Sequence, residues 1–153
     1  MKKYEILEHK ADLKIRAFGK TKEELFLNML IGMSESMKGS EVRIPEEKIR
    51  REVKIKSLDL PALLVDFLSE VLYLSQVNRE VYFNVKFRKF FDNEEEEDLS
   101  SSSPFATARE IEAELIGQKV ERFGEDIKAV TYHSLNIRQR EDGIWEATVL
   151  FDI

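Results

Sequence analysis

The chain contains no cysteine and only two histidines, His9 and His133, among its 153 residues. The absence of cysteine excludes disulfides, thiolate catalysis and cysteine-based zinc or iron–sulfur sites. A zinc site would need an unusual ligand set with so few histidines. We therefore expect oxygen ligands for any bound metal, which favours calcium, magnesium or manganese.

Several motifs of common enzyme and membrane classes are also missing. No apolar run approaches the length of a membrane span, and no signal-peptide core follows the N-terminus, so we expect a cytoplasmic protein with no membrane partner. Neither a GxGxxG motif nor a Walker-type Gly-Lys-Ser/Thr sequence is present to cradle phosphate groups. No serine lies in a nucleophile-elbow context, which leaves no support for a Ser-His-Asp hydrolase.

The chain lacks an excess of positive charge. Its formal net charge is -6 at pH 7, whereas proteins that coat nucleic acid through phosphate contacts normally present an excess of lysine and arginine. This composition argues against direct binding of RNA. It is compatible with docking onto a basic partner or onto a protein that itself holds RNA.

Length and composition indicate a single domain over residues 1–153. Hydrophobic residues make up 42% of the chain and charged residues 35%, which is sufficient for one core with a heavily charged surface. The acidic and serine-rich segment at about 92–105 contains too few apolar residues to order itself. We therefore predict a mobile loop there.

Apolar spacing and capping residues predict two helices. Residues 21–24, Thr-Lys-Glu-Glu, match a capping box, and apolar residues follow at helical spacing, so a helix is expected from about 22 to 37. Asp59 is expected to cap a second helix with Pro61 in its first turn. The apolar face of this helix covers residues 60–72.

Alternating apolar residues predict a series of strands, most of them late in the chain. The runs are 13–18, 51–56, 81–87, 111–117, 130–137 and 145–153, with a shorter one possible at 4–7. In the run 81–87, the alternation places four residues on one side: Val81, Phe83, Val85 and Phe87. Clustered strands favour an α+β fold, and the simplest architecture is a two-layer, mixed sheet with the two helices packed on one face.

Two aspartates near the chain ends form a candidate metal site. Asp152 and the α-carboxylate of Ile153 end one strand-like run, and Asp12 precedes another. If these strands lie side by side, the three anionic groups converge and repel each other strongly unless a cation joins them. The alternative is that Asp12 and Asp152 are unrelated surface carboxylates.

Other polar residues have plainer interpretations. His9 and His133 could be general bases or metal ligands, but a lone histidine beside a turn is more often a hydrogen-bonded structural residue. Lys128 lies between apolar neighbours, and such lysines usually extend the ammonium group to water. Asp66 and Glu70 are most simply the solvated face of the second helix.

Five blocks of the sequence resemble the archease family, in the family's order and over nearly the whole chain. They are residues 4–12 (Tyr-Glu-Ile-Leu-Glu-His-Lys-Ala-Asp), 19–26, 63–74, 127–133 and 149–153. Archeases assist the RNA-splicing ligase RtcB, which joins RNA ends during tRNA splicing and related repair. The resemblance implies a non-catalytic activator with an RtcB-type ligase as its partner, and with tRNA contacted only indirectly.

The resemblance also implies roles for particular residues. Family archeases promote guanylylation of the ligase's histidine, allow multiple turnover and can broaden nucleotide use. They carry a divalent ion near an N-terminal and a C-terminal aspartate, here Asp12 and Asp152, with the terminal residue Ile153 also contributing oxygen. The family's functional lysine corresponds to Lys128.

Two features depart from the family pattern. Lys10 replaces the usual threonine, so a cation next to the acidic cluster could lower metal affinity. The acidic segment at 94–103 lies outside the pattern.

Two other functions stay open. The carboxylates of Asp12, Asp152 and Ile153 could instead serve a metal-dependent phosphohydrolase, or the chain could be a chaperone-like interaction module in which they are incidental.

Overall fold

The computed structural model describes residues 1–39, 47–92 and 109–153. These residues form two helices and seven strands, which confirms the predicted α+β class. In chain order the elements are β1 (Tyr4–His9), β2 (Asp12–Gly19), α1 (Lys22–Met37), β3 (Ile49–Ser57), α2 (Leu60–Asn78), β4 (Glu80–Phe91), β5 (Arg109–Lys119), β6 (Ala129–Gln139) and β7 (Trp145–Asp152).

The strands form two antiparallel sheets, so the prediction of one mixed sheet is wrong. The first sheet has the order β1-β2-β7-β6 and the second β3-β5-β4, and every pairing among the described strands is antiparallel. Both helices contact strands of both sheets, so they do not pack on one face of a single sheet. Alternation identifies a strand and its buried face, but it carries no information about the neighbouring strand.

Both helices begin where their capping residues predict. The Thr21 hydroxyl accepts a hydrogen bond from the Glu24 amide at 3.1 Å, and the Glu24 carboxylate accepts one from the Lys20 amide at 3.3 Å. The Asp59 carboxylate accepts a hydrogen bond from the Ala62 amide at 2.8 Å. These contacts satisfy amides that have no partner within the helix.

The core lies where the two helices meet the two sheets. By length and composition α2 is long and apolar enough to cross a membrane, with a mean hydropathy of 1.4, but half of the qualifying window is buried inside the protein. A core helix has the same properties. Fully buried side chains come from both sheets and both helices and include Leu13, Ile15, Phe26, Met29, Leu63, Phe67, Ile111, Leu115, Val149 and Phe151.

Strand β4 does not keep the predicted alternation. Its register against β5 shifts between Tyr82 and Asn84 and again between Phe87 and Lys89. The first shift buries Tyr82 completely and leaves Phe83 with 41% of its surface exposed. The prediction that Phe83 shares a side with the buried residues of this strand is therefore wrong, because Phe83 is the extra residue of a bulge and is skipped in the pairing with β5.

The first residue of the predicted acidic loop is firmly held. Asp92 follows β4, and its carboxylate is 2% exposed. It accepts a hydrogen bond from Arg109 Nε at 2.9 Å and forms an ion pair with Lys22. The rest of the predicted loop, residues 93–105, lies outside the described residues.

Candidate functional site

The two candidate aspartates lie opposite each other in the first sheet. Strands β2 and β7 are antiparallel neighbours, and their register pairs Asp12 with Asp152. Directly opposite residues point to the same face with Cβ atoms about 5 Å apart. The two strands therefore lie side by side, which was the condition for these anionic groups to converge.

Strand β6 brings Lys128 to the other side of Asp152. Ala129 pairs with Asp152, and the Lys128 amide donates a hydrogen bond to the Asp152 carbonyl oxygen at 2.7 Å. The Lys128 side chain is exposed. Asp12, Asp152, Ile153 and Lys128 thus lie at one end of the sheet, and we call them the terminal-strand site.

The two carboxylates of this site have no basic partner in ranges 1–39, 47–92 and 109–153. Neither Asp12 nor Asp152 belongs to any ion pair formed there. Like charges directly opposite each other on neighbouring strands destabilise a sheet. A bound cation would remove that repulsion.

The donor set of the terminal-strand site fits a hard divalent cation. Its available atoms are carboxylate oxygens, which calcium, magnesium and manganese prefer. The described part of the chain has no group of three or more His, Asp or Glu side chains that could hold a metal. A cation here would therefore depend on Asp12, Asp152, the oxygens of Ile153 and water, and magnesium is commonly bound through one or two carboxylates plus several waters.

The histidines occupy different surroundings. His9 Nε2 lies 3.1 Å from a carboxylate oxygen of Glu125, which agrees with its interpretation as a hydrogen-bonded residue. The His133 side chain is exposed, and its amide donates to the Thr131 hydroxyl at 3.3 Å. Neither histidine side chain joins the described aspartates in a metal-ligating group.

A bulge in β6 was not predicted from the sequence. The strand leaves its regular register with β7 between Thr131 and Asn136, and Ser134 adopts a left-handed conformation with φ of 57°. Tyr132 is 56% exposed beside it. Partial burial and the charge of Asp66 raise the pKa of Tyr132. A serine at positive φ has no sequence signal comparable to glycine, so the alternation suggested an uninterrupted strand.

Sequence comparison finds one protein family that matches nearly the whole chain. A model of the Archease protein family matches residues 4–153. Protein archease of Methanosarcina barkeri is 42% identical over 161 residues, covering 99% of this chain and 97% of that protein. Protein archease of Thermococcus kodakarensis is 33% identical over 153 residues and is covered completely, as is this chain.

Solved structures with the same fold include two from other organisms. The solution structure of protein 1598 of Methanobacterium thermoautotrophicum matches with a TM-score of 0.71 and 27% identity over 100% of both chains. The crystal structure of a Thermotoga maritima archease, described as a possible chaperone, matches with a TM-score of 0.53 and 19% identity, covering 96% of this chain and 94% of that one. At that identity the second match shows the fold alone.

Proposed function

This chain belongs to the archease family, and we propose that it is a non-catalytic activator of an RtcB-type RNA-splicing ligase. The family resemblance predicted from the five sequence blocks is confirmed by the match over residues 4–153. In the proposed role the protein promotes guanylylation of the ligase and its multiple turnover. The main support is the register that sets Asp12 opposite Asp152, with Lys128 alongside.

The proposed mechanism assigns one task to each residue of the terminal-strand site. Asp12, Asp152 and the oxygens of Ile153 would hold a divalent ion, which would supply positive charge near the phosphates of the nucleotide in the ligase. The exposed ammonium of Lys128 stabilises negative charge that develops as pyrophosphate leaves the nucleotide in the ligase. The activator then needs no nucleotide pocket of its own. Its net charge of -6 is compatible with a protein that contacts RNA only through the ligase. We place this activity in the cytoplasm.

The first prediction concerns ligase activation. In single-turnover guanylylation with a purified RtcB-type ligase and GTP, Asp12→Asn and Asp152→Asn are each expected to reduce the acceleration about tenfold or more, because loss of a ligand weakens metal binding by that order. Lys128→Ala is expected to reduce it about tenfold through lost charge stabilisation. Lys128→Ala should keep the thermal midpoint of the wild type.

A matched control is available at the opposite end of β7. Asp142→Asn removes an exposed carboxylate that pairs with Arg140 in the preceding hairpin turn, and it should leave activation unchanged. Wild-type acceleration by Asp152→Asn would discard the proposed mechanism. Release of phosphate from GTP by the protein alone, abolished by Asp152→Asn, would favour the phosphohydrolase instead.

Exposed apolar residues on α2 favour one alternative function, a chaperone-like interaction module. Tyr73 and Val77 lie one helical turn apart and are 57% and 60% exposed, and apolar surface of this kind often contacts other proteins. A double variant, Tyr73→Ser with Val77→Ser, separates the two functions. Loss of the ability to prevent client aggregation, with full ligase activation retained, would establish the chaperone-like role as an additional one.

The second prediction concerns the family departure at Lys10. Its ammonium lies two positions before Asp12 in the sequence and opposes binding of a divalent cation. Lys10→Thr should therefore tighten calcium or manganese binding about threefold at low ionic strength, with the gain vanishing in high salt. Isothermal titration calorimetry measures the affinity, and Lys2→Thr serves as the control. Equal affinities for wild type and Lys10→Thr would show that Lys10 has no influence on the site.

A further inference from the structure

The connection between β5 and β6, residues 120–128, is irregular but firmly attached. The Val120 amide donates a hydrogen bond to the Arg79 carbonyl at 2.9 Å, next to the end of α2. The Gly124 amide donates one to the Met37 carbonyl at 2.8 Å, at the end of α1. This connection therefore follows a fixed path across the ends of both helices towards Lys128.

The last part of the connection is held on two more sides. Ile127 is fully buried, and its carbonyl accepts a hydrogen bond from the Gln76 side chain at 2.8 Å. The next residue, Lys128, donates its amide to the Asp152 carbonyl at 2.7 Å. The Ile127–Lys128 peptide group is thus held at its carbonyl oxygen by α2 and at its amide by β7.

Between these attachments, Glu125 extends to the hairpin that carries Asp12. Its carboxylate lies 3.1 Å from His9 Nε2. His9 is the last residue of β1 and pairs with Leu13, next to Asp12 at the start of β2. This contact joins the connection 120–128 to the β1–β2 hairpin.

The chemistry of the His9–Glu125 pair determines which side chain donates the hydrogen bond. An ionised carboxylate only accepts hydrogen bonds, so His9 Nε2 carries the proton and donates it. The two side chains are 45% and 29% exposed, and pairs of this kind contribute little to global stability. The contact instead links two parts of the terminal-strand site that come from opposite ends of the chain.

We infer that His9 and Glu125 form a positioning pair, which holds the segment before Lys128 against the β1–β2 hairpin that carries Asp12. This inference rests on the proposed function, because it concerns the same site. The pair contacts neither the nucleotide nor the cation. It acts on activation through the placement of Lys128 relative to Asp12.

The test combines a structural measurement on the free protein with the ligase assay. His9→Ala and Glu125→Ala are each expected to speed hydrogen exchange at the Lys128 amide about fivefold and to lower activation about fivefold, the size of one exposed charge-assisted hydrogen bond. The double variant should be no worse than either single variant, because both remove the same contact. His9→Gln keeps a side-chain N–H donor and should restore most of the loss.

The controls separate positioning from stability and from the proposed function. Arg138→Ala removes an exposed ion pair with Glu146 at the far end of β6 and should change neither readout, and thermal midpoints should stay close to wild type throughout. Unchanged Lys128 exchange in His9→Ala, or a double variant that loses the product of both single effects, would overturn the inference. If wild-type protein fails to activate the ligase, the proposed function fails, while the exchange measurement still decides whether the pair positions Lys128.

Discussion

Glu80→Ala is expected to lower the free energy of unfolding by about 3 kcal/mol. Glu80 is fully buried at the start of β4, and Arg51 donates two hydrogen bonds to its carboxylate at 2.9 and 2.8 Å. The Tyr82 hydroxyl donates a third at 2.6 Å. Removal of the carboxylate leaves a guanidinium and a buried hydroxyl without their acceptor. Because Arg51 is 36% exposed, water offsets part of the loss, and we expect the lower end of the range for broken buried pairs.

Chemical denaturation at neutral pH measures this effect, with Glu110→Ala as the control. Glu110 also pairs with a basic residue, Lys89, but it lies on the outer face of the second sheet where water screens the charges. The Glu110 variant should lose far less stability than the Glu80 variant. Similar losses in the two variants would contradict the role assigned to burial.

The same residue predicts how stability depends on pH. Burial alone would raise the pKa of Glu80, but the hydrogen bonds from Arg51 and Tyr82 and the charge of Arg51 together hold it below its ordinary value of 4.5. The ionised form therefore stabilises the native state. This contribution is complete above pH 4.5 and is lost as the pH falls through the lower native pKa. The difference in unfolding free energy between wild type and Glu80→Ala should therefore become smaller in acid. Denaturation curves recorded above and below pH 4.5 measure this difference. A constant difference would contradict a stabilising role of the ionised Glu80 carboxylate.

Gly117→Ala is expected to cost about 3 kcal/mol or more. A Cβ atom at this position would lie 2.2 Å from the Val81 carbonyl oxygen and 2.6 Å from Cδ1 of Tyr82. Gly117 lies on the central strand β5, paired with Tyr82 on one side and Ile49 on the other. Neither neighbouring backbone can move away without breaking the ladder. The substitution would also displace Tyr82 from Glu80.

Gly39→Ala is the control for this prediction. Its added Cβ would meet the Gly124 amide nitrogen at 3.6 Å, an ordinary van der Waals contact. We expect a change in unfolding free energy within about 0.5 kcal/mol. Denaturant midpoints of the Gly117→Ala and Gly39→Ala variants measure the difference. Equal midpoints would mean that β4 can shift to accommodate the methyl group at position 117.

The helices could be predicted from the sequence because their determinants are local. The capping residues Thr21 and Asp59 lie within three positions of the amides that they satisfy. The division into two sheets could not be predicted in this way. It depends on β3, β4 and β5 pairing with each other and on β7 entering between β2 and β6, and no short-range pattern encodes those choices.

The candidate site shows the same limit at the level of single residues. Asp12 and Asp152 could be proposed as neighbours because each adjoins a clear strand pattern near an end of the chain, and their register confirms it. No local pattern marks Glu80 as a buried carboxylate, since its partner Arg51 lies 29 positions away. The separation of His9 from Glu125 is 116 positions. Contacts over such distances exist only after the fold has formed.

Strand β7 is made after the other described strands, yet it lies between β2 and β6 in the finished sheet. The inner edge of the β1–β2 hairpin therefore stays uncovered while residues 20–144 are synthesised. Long-range closure of this kind slows folding. A nascent chain released before residues 145–152 would lack the strand that joins both halves of the sheet, so only translation to the end of β7 can produce an ordered Asp12 beside Lys128.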